Sequence, residues 1–356
     1  MALLKVTDRG IYCEAADVYI DPWKPVNKAF ITHAHADHSR KGHSQYVAHE
    51  DSVPIMKYRL GRLSVKGMKY GETIEVNGVK FSFHPAGHII GSSQIRVEYK
   101  GQIWVASGDY KTENDGISTP IEIVKCHGFI TESTFGIPAF KWQKQESVIN
   151  EIHEWWTQNQ KEGNISIIAA YSLGKAQRLI HNLDHSIGKI YAHTAIYKTN
   201  KVIRNHGISL PETEQLNMHT TSKALIGNLL LAPPGAIGAK WLYKIKPVIV
   251  AAASGWMGLR GMRRRRSVDK GFVLSDHADW SGLLDVIKNT GATEVMVTHG
   301  YQEIFSRYLC ELGYNAYTEK TAFEGELITG ESKNEDSLDD SISENSSNKE
   351  ENKSAS

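Results

Sequence analysis

Cysteine is scarce in this chain, and the few cysteines do not cluster. The 356 residues include three, Cys13, Cys126 and Cys310, and no two of them form a C-x-x-C pair. Disulfide-rich secreted scaffolds and zinc sites built from thiolates both depend on closely spaced cysteines. The sequence therefore argues against both, and it favours a reducing cytoplasm.

Long apolar runs are missing as well. The longest, near residues 248–253, is far shorter than the roughly 20 residues that span a bilayer. The opening residues, Met1-Ala2-Leu3-Leu4-Lys5, carry charge too early for the apolar segment of a signal peptide. We therefore expect a soluble, cytoplasmic protein that does not enter a membrane.

Acidic charge is concentrated in residues 331–356. That stretch holds eight acidic residues and three lysines, a net charge of −5, whereas the whole chain carries +1 and residues 1–330 therefore carry +6. It is rich in Ser, Asn and Glu and has little apolar surface to bury, so we expect a disordered tail. A solubilising role is favoured over competition for a basic cleft.

The pattern of predicted elements changes twice along the chain. Short β-rich runs with hairpin turns at Asn77-Gly78 and Lys100-Gly101 dominate the first part, and β-rich character returns near residue 271 with a strand over 272–274. Between them, helical and strand patterns alternate. We predict an α+β fold in which one β-rich domain, residues 1–134 and 271–330, is interrupted by an α/β insertion at 135–270 and followed by the tail at 331–356.

Histidine is dense at one place. Ile31-Thr32-His33-Ala34-His35-Ala36-Asp37-His38 puts three imidazoles and a carboxylate into six residues directly after an apolar run. Imidazole nitrogen and carboxylate oxygen are ligands that suit zinc and its first-row neighbours. A surface histidine cluster is the alternative, but other candidate ligands downstream favour a metal site.

Three of those downstream candidates lie in predicted turns or at strand ends. His88 lies in a glycine-flanked turn, and Asp109 and His299 each follow a predicted strand. Any one of them alone is more often an ordinary buried residue, but together they suit a two-metal hydrolase with Asp109 as the bridging carboxylate. Asp21, at another strand end, is placed to orient a ligand imidazole, although a simple turn aspartate explains it equally well.

In combination these motifs resemble the β-CASP nucleases, the nucleic-acid-processing branch of the metallo-β-lactamase fold. The closest subgroup is the bacterial DNA-ligase-associated exonucleases, which are similar to messenger-RNA 3′-end processing nucleases. The resemblance covers residues 1 to about 325 and implies an αββα sandwich with an inserted β-CASP domain. The matching stretches are Asp21, His33-Ala34-His35-Ala36-Asp37-His38, His88 and Asp109 for the fold, and Thr131-Glu132-Ser133-Thr134-Phe135-Gly136, Ser275-Asp276-His277 and His299-Gly300 for the branch, with Leu173-Gly174-Lys175-Ala176-Gln177 in the insertion.

The resemblance also implies roles for these residues. One metal would be held by His33, His35 and His88 and the other by Asp37, His38 and His299, with Asp109 shared and a water activated between two zinc ions, or two manganese ions, attacking phosphorus. His277, oriented by Glu132, would contact the scissile phosphate or protonate the leaving oxygen. A structural role is the alternative for Glu132.

We expect a DNA exonuclease linked to repair and functionally connected to a DNA ligase. The alternative within the branch is an RNA-processing exo- or endonuclease, because His299 is the residue type associated with RNA-acting members. A small-molecule metallo-hydrolase is less favoured, since its chemistry needs neither the insertion nor the four consecutive arginines at 263–266. An inactive scaffold that partners a nuclease is less favoured because the ligand set is intact.

Basic residues suggest where the phosphate backbone binds. Arg263, Arg264, Arg265 and Arg266 lie shortly before the His277 motif, with eight residues between them and Ser275. Arginine forks bind phosphate oxygens in pairs and carry no sequence information, so we expect little base specificity. Lys175, at a strand-to-helix junction, is a further candidate, although helix capping explains that junction as well.

Overall fold

The computed structural model describes residues 2–265 and 267–323. The predicted tail, 331–356, and Arg266 lie outside the described residues. Within the described residues, no helix is long and apolar enough to cross a membrane.

The first sheet has six strands in chain order. They are β1 (Lys5–Val6), β2 (Ile11–Cys13), β3 (Val18–Ile20), β4 (Lys28–Ile31), β5 (Gln45–His49) and, after helix α1 (Ser52–Leu60), β6 (Val65–Met68). Pairing is antiparallel from β1 to β3 and parallel from β3 to β6. The carboxyl ends of β3 and β4 therefore meet at one edge of the sheet, where Asp21 and His33 follow them.

The second sheet begins with strands joined by tight turns. They are β7 (Thr73–Val76), β8 (Val79–Pro85), β9 (Ser93–Tyr99), β10 (Gln102–Ala106) and β11 (Gly128–Ser133). The two predicted hairpins are confirmed: Val76 pairs with Val79 across Asn77-Gly78, and Tyr99 pairs with Gln102 across Lys100-Gly101. All four turn residues have positive φ, which the two-residue turns of twisted hairpins require.

A third sheet then forms from an alternating helix and strand segment. Its elements are α2 (Gln145–Lys161), β12 (Ile165–Ala169), α3 (Lys175–Asn182), β13 (Ile190–Ala192), α4 (Thr194–Asn205), β14 (Glu214–Gln215), α5 (Ser222–Leu225), β15 (Leu229–Ala232), β16 (Val248–Ala253), α6 (Met262–Arg265) and β17 (Lys270–Phe272). The strands are parallel in the order β14-β13-β15-β12-β16-β17. The strand expected at 272–274 thus forms slightly earlier and extends this sheet.

The chain then returns to the second sheet. Helix α7 (Trp280–Thr290) precedes β18 (Glu294–Gly300), and α8 (Gln302–Glu311) precedes β19 (Asn315–Thr318). Strand β18 pairs in parallel with β11, which gives the order β19-β18-β11-β10-β9-β8-β7. The third sheet therefore lies, in sequence, between two neighbouring strands of the second sheet.

Three of the five apolar clusters among the described residues lie between these layers. The first and second sheets face each other, with Phe30 of β4 against Phe81 of β8 at a ring separation of 4.6 Å. Helices α7 and α8 bury Leu283 and Phe305 against the other face of the second sheet. A third core joins the outer face of the first sheet and α1 to the helices of the inserted sheet. The fold is therefore α+β, as predicted, while the domain bounds at 134 and 270 stay a prediction.

Candidate metal centre

The predicted ligands gather where strands of both stacked sheets end. The loop that carries His33 to His38 follows β4, His88 lies in the turn between β8 and β9, and Asp109 follows β10. His299 lies near the end of β18. Because rigid strands hold these short connections, the side chains converge with little conformational freedom.

Gly108 allows the two sheets to approach each other at this point. Its φ is +57°, and a β-carbon there would lie 2.7 Å from Thr32. Only glycine has both the conformational freedom and the lack of side chain that this approach needs. Asp109 is thereby placed directly beside the loop after β4.

The first group of ligand atoms belongs to His33, His35, His88 and Asp109, which lie within 4.8 Å of one another. His88 Nε2 is 3.1 Å from His35 Nδ1, and Asp109 Oδ2 is 3.6 Å from His33 Nε2 and 3.8 Å from His88 Nε2. Nitrogen ligands around a tetrahedral zinc ion are about 3.3 Å apart, which follows from Zn–N bonds near 2.0–2.1 Å. The spacing therefore suits one ion.

The second group is formed by His38, Asp109 and His299, also within 4.8 Å of one another. Asp109 Oδ2 is 3.6 Å from His38 Nε2, and Asp109 Oδ1 is 2.9 Å from His299 Nε2. Asp37 lies beside this group, with Oδ2 3.5 Å from His38 Nε2. Asp109 is thus common to both groups, which is the arrangement that a bridging carboxylate requires.

In the first group the outer nitrogen of each imidazole is held by an oxygen. His33 Nδ1 is 3.0 Å from Thr32 Oγ1, His35 Nε2 is 3.2 Å from the Leu173 carbonyl, and His88 Nδ1 is 2.7 Å from the Asp276 carbonyl. A proton on the outer nitrogen leaves the inner nitrogen deprotonated and able to bind a metal. The Leu173 carbonyl belongs to the inserted segment and the Asp276 carbonyl to the loop that follows it.

Asp21 has this orienting position toward His38. Its Oδ2 is 2.8 Å from His38 Nδ1, and it accepts hydrogen bonds from the backbone and the hydroxyl of Thr32. Through Thr32 it also reaches His33. Asp21 has a left-handed φ of 44°, a conformation that aspartate tolerates and that often marks functional sites.

The donor set fits divalent metal. Among the described residues, His33 Nε2, His38 Nε2 and His299 Nδ1 are buried without a hydrogen-bond partner, and such atoms are costly unless something binds them. Burial lowers the pKa of His33 and His88 well below the ordinary value, so these two imidazoles are neutral and ready to bind a cation.

The charged groups around His38 also favour a bound metal ion. Burial opposes protonation of His38, but Asp37 and Asp109 raise its pKa to about 10. Burial also opposes ionisation of Asp109, yet His38 and His299 hold the pKa of that carboxyl well below its usual range. The carboxylates around His38 therefore need a cation to balance them, and a metal ion satisfies that need.

His277 and Glu132 form a buried pair next to the first group. Glu132 Oε2 is 2.8 Å from His277 Nδ1, and Glu132 also accepts hydrogen bonds from the Tyr110 backbone and the Thr134 hydroxyl. The His277 ring lies 4.6 Å from the His88 ring, centroid to centroid. The glutamate is thus fixed from three sides and sets the orientation of the imidazole.

Comparisons with known proteins agree with this geometry. A protein named "Probable DNA ligase" from Opitutus terrae is 27% identical over 312 residues, which is 86% of this chain and 30% of that protein. "Endoribonuclease ysh1" of Schizosaccharomyces pombe is 32% identical over 124 residues, which is 34% of this chain and 16% of that protein. "Cleavage and polyadenylation specificity factor subunit 3" of Dictyostelium discoideum is 27% identical over 146 residues, 39% of this chain and 18% of that protein.

The order of the motifs and these relatives point to the same family. The chain is similar to the β-CASP branch of the metallo-β-lactamase fold, and its relatives support that family. It spans 30% or less of the length of each of these relatives. No family model matches this chain.

A solved structure adds to the description of the fold alone. It is a protein of unknown function from Enterococcus faecalis V583, with a TM-score of 0.55 and 10% identity, and the match covers 76% of this chain and 74% of that chain.

The predicted phosphate contacts of this protein lie in different surroundings. Arg264 and Arg265 are exposed on α6. The side chain of Arg263 and the whole of Arg266 lie outside what the structure describes. Lys175 is 1% exposed, and its Nζ lies 3.3 Å from Asp276 Oδ2, so its phosphate role stays a prediction.

Phe323 is a further neighbour of the candidate ligands, and sequence reasoning missed it. Its ring lies parallel to that of His38 at 4.5 Å and edge-on to that of His299 at 5.6 Å, centroid to centroid. Arg40 Nη2 donates to the neighbouring Ala322 carbonyl at 2.9 Å. An isolated aromatic residue after β19 carries no motif, so no sequence signal identified it.

Proposed function

We propose that this protein is a metal-dependent phosphodiesterase that cleaves DNA from an end. One observation carries the proposal: two ligand groups that share Asp109 lie beside the buried pair of His277 and Glu132. Such a centre can hold two divalent ions and also supply a proton donor. Simple metal storage would need no such donor.

In this proposal His33, His35 and His88 would hold one ion, Asp37, His38 and His299 would hold the other, and Asp109 would be a ligand common to both groups. The ions are zinc, or manganese as the alternative. When bound, two divalent ions neutralise charge on the phosphoryl oxygens and supply a water acidic enough to attack phosphorus near neutral pH. The protein side chains fix the geometry and exclude bulk water from the buried ligands.

His277 would act on the leaving group. Glu132 lies 2.8 Å from Nδ1 of that imidazole and fixes its orientation, so the other ring nitrogen would give a proton to the leaving oxygen or contact the scissile phosphate. Arg264 and Arg265 would bind backbone phosphates on the approach to the centre, together with Arg263 and Arg266. This division assigns the chemistry to the buried residues and substrate positioning to the exposed ones.

DNA is the proposed substrate because the relative named a probable DNA ligase matches 86% of this chain. The same relative supports the proposed link to DNA repair and to a DNA ligase. RNA processing is the second candidate, because the relative named an endoribonuclease also matches, over 34% of the chain. We further propose that the two-sheet domain comprises residues 1–134 and 271–330 and that the insertion at 135–270 forms one wall of the substrate cleft.

End-labelled strands test the proposal directly. Single and paired strands of DNA and RNA would be incubated with the protein and Zn²⁺ or Mn²⁺, and the products would be sized. We expect short products released from DNA ends, and we expect His277→Ala to slow cleavage by roughly 10²–10⁴-fold while retaining the bound metal. Internal cleavage of RNA would favour the second candidate, and no cleavage of any strand would contradict both.

A further inference from the structure

Helix α3 of the inserted sheet carries a buried charge cluster that touches the loop of His277. Lys175 and Arg178 lie three residues apart, on one face of the helix, and each is 1% exposed. Lys175 Nζ is 3.3 Å from Asp276 Oδ2, and Arg178 Nη1 is 3.3 Å from Asp276 Oδ1. Two buried cations thus hold the two oxygens of one buried carboxylate.

Arg178 also fixes the backbone of that loop. Its Nη1 donates to the Ser275 carbonyl at 2.6 Å, and its Nε donates to Gln145 Oε1 on α2. Burial opposes ionisation of Asp276, but Lys175 and Arg178 keep the pKa of its carboxyl below the usual range. The loop is therefore bound through side chain and backbone to two helices of the inserted sheet.

The same loop contacts the metal ligands. The Asp276 carbonyl accepts from His88 Nδ1 at 2.7 Å, and the adjacent residue is His277. The turn before α3 supplies a second contact, since the Leu173 carbonyl lies 3.2 Å from His35 Nε2. Two ligands of the first group are thus oriented by backbone atoms whose positions depend on α3.

Buried ion pairs contribute little to the net stability of a fold, because removing the charges from water costs about as much free energy as their attraction gains. A cluster retained at such a place is therefore better explained by the geometry it imposes. We propose that Lys175 and Arg178 are positioning residues that fix Asp276, and through it His88 and His277, so that the placement of the inserted sheet sets the geometry of the centre. This inference rests on the proposed function and assigns Lys175 a role other than phosphate contact.

Stepwise metal affinities of the full chain test the inference. Lys175→Met would be compared with Lys189→Met, a matched control in which the lysine is exposed and pairs with exposed Glu214 at 3.0 Å. Zn²⁺ competition with a chelator should show one ion bound about tenfold more weakly in K175M, the loss typical of residues that orient ligands, and the other ion unchanged. K189M should match the wild-type protein.

Kinetics separates this role from phosphate binding. With DNA as substrate, K175M should lower kcat with little change in KM, and Arg178→Lys, which keeps the charge but loses the fork, should show the same pattern more weakly. Wild-type metal affinities in both variants, or a raised KM with reduced salt dependence and normal kcat, would overturn the inference. A wild-type chain that binds one ion would contradict the two-ion function instead, and the K175M comparison on that ion would still decide the inference.

Discussion

The first and second ligand groups, the two halves of the candidate metal centre, are held in place by different parts of the chain. His35 and His88 are oriented by the carbonyls of Leu173 and Asp276, which belong to the inserted segment and the loop that follows it. His38 is instead held by Asp21 from the first sheet and covered by Phe323 from the segment after β19. One half thus depends on backbone atoms and a buried charge cluster, and the other on a carboxylate and an aromatic ring.

Because of this difference, the two proposed ions need not respond alike to a substitution. A change in the inserted sheet should reach the first group without passing through the second. A change near Asp21 should act mainly on the second. Asp109 is a member of both groups of candidate ligands, so a replacement there should affect both groups and should not distinguish them.

Asp109→Asn should have the largest effect. Its carboxylate lies within 4 Å of His33, His38, His88 and His299, so its loss weakens both halves. Because changes in outer partners alone cost 10–100-fold in metal affinity, we expect a loss of more than about 100-fold for both ions. Metal analysis after gel filtration would check this, and retention of two ions would show that Asp109 does not bridge.

Asp21→Asn should have the second-largest effect on metal affinity. It should weaken the two ligand groups to different extents. Asp21 contacts His38 directly but reaches His33 only through Thr32. We therefore expect a 10–100-fold loss for the ion of the second group and a smaller loss for the other. Chelator competition would measure both affinities, and equal losses would mean that the two halves act as one unit.

Phe323→Ala should have a smaller effect of the same kind. An aromatic pair contributes about 0.5–1.5 kcal/mol, which corresponds to a 2- to 10-fold loss of affinity in the second group. Tyr317→Ala is the matched control, because Tyr317 lies on nearby β19 with its hydroxyl directed to Glu294. Optical spectra of the cobalt-substituted protein would report the change, and identical spectra for the Phe323 variant and the wild type would contradict it.

The combined change of Arg264 and Arg265 to Gln should affect the ions least. Both side chains are exposed on α6, away from the ligand contacts described above. Metal affinity should be unchanged, while binding to single strands should weaken and its log–log salt slope should fall by roughly 1.4, the value for two lost phosphate contacts. Arg307→Gln, exposed on α8 beside Glu311, is the control, and an unchanged slope would assign the arginines to solvent.

The features that the sequence predicted best are those whose residues are close together in the chain. His33, His35 and His38 lie in one loop, and the hairpin turn Asn77-Gly78 has a local cause. The Leu173 carbonyl could not be predicted, because a backbone atom has no residue signature. Burial of Lys175 was equally hidden, since an isolated lysine in a sequence does not reveal that Asp276 folds against it.

The parallel pairing of β11 with β18 also sets the order in which the centre can be assembled. Thr131 and Thr298 are hydrogen-bonded neighbours although 167 residues separate them in the chain. During synthesis the chain emerges from its N-terminal side, and contacts between such distant strands form slowly. All four members of the first ligand group are therefore present in the nascent chain while the second still lacks His299, and the whole inserted sheet is synthesised in the interval.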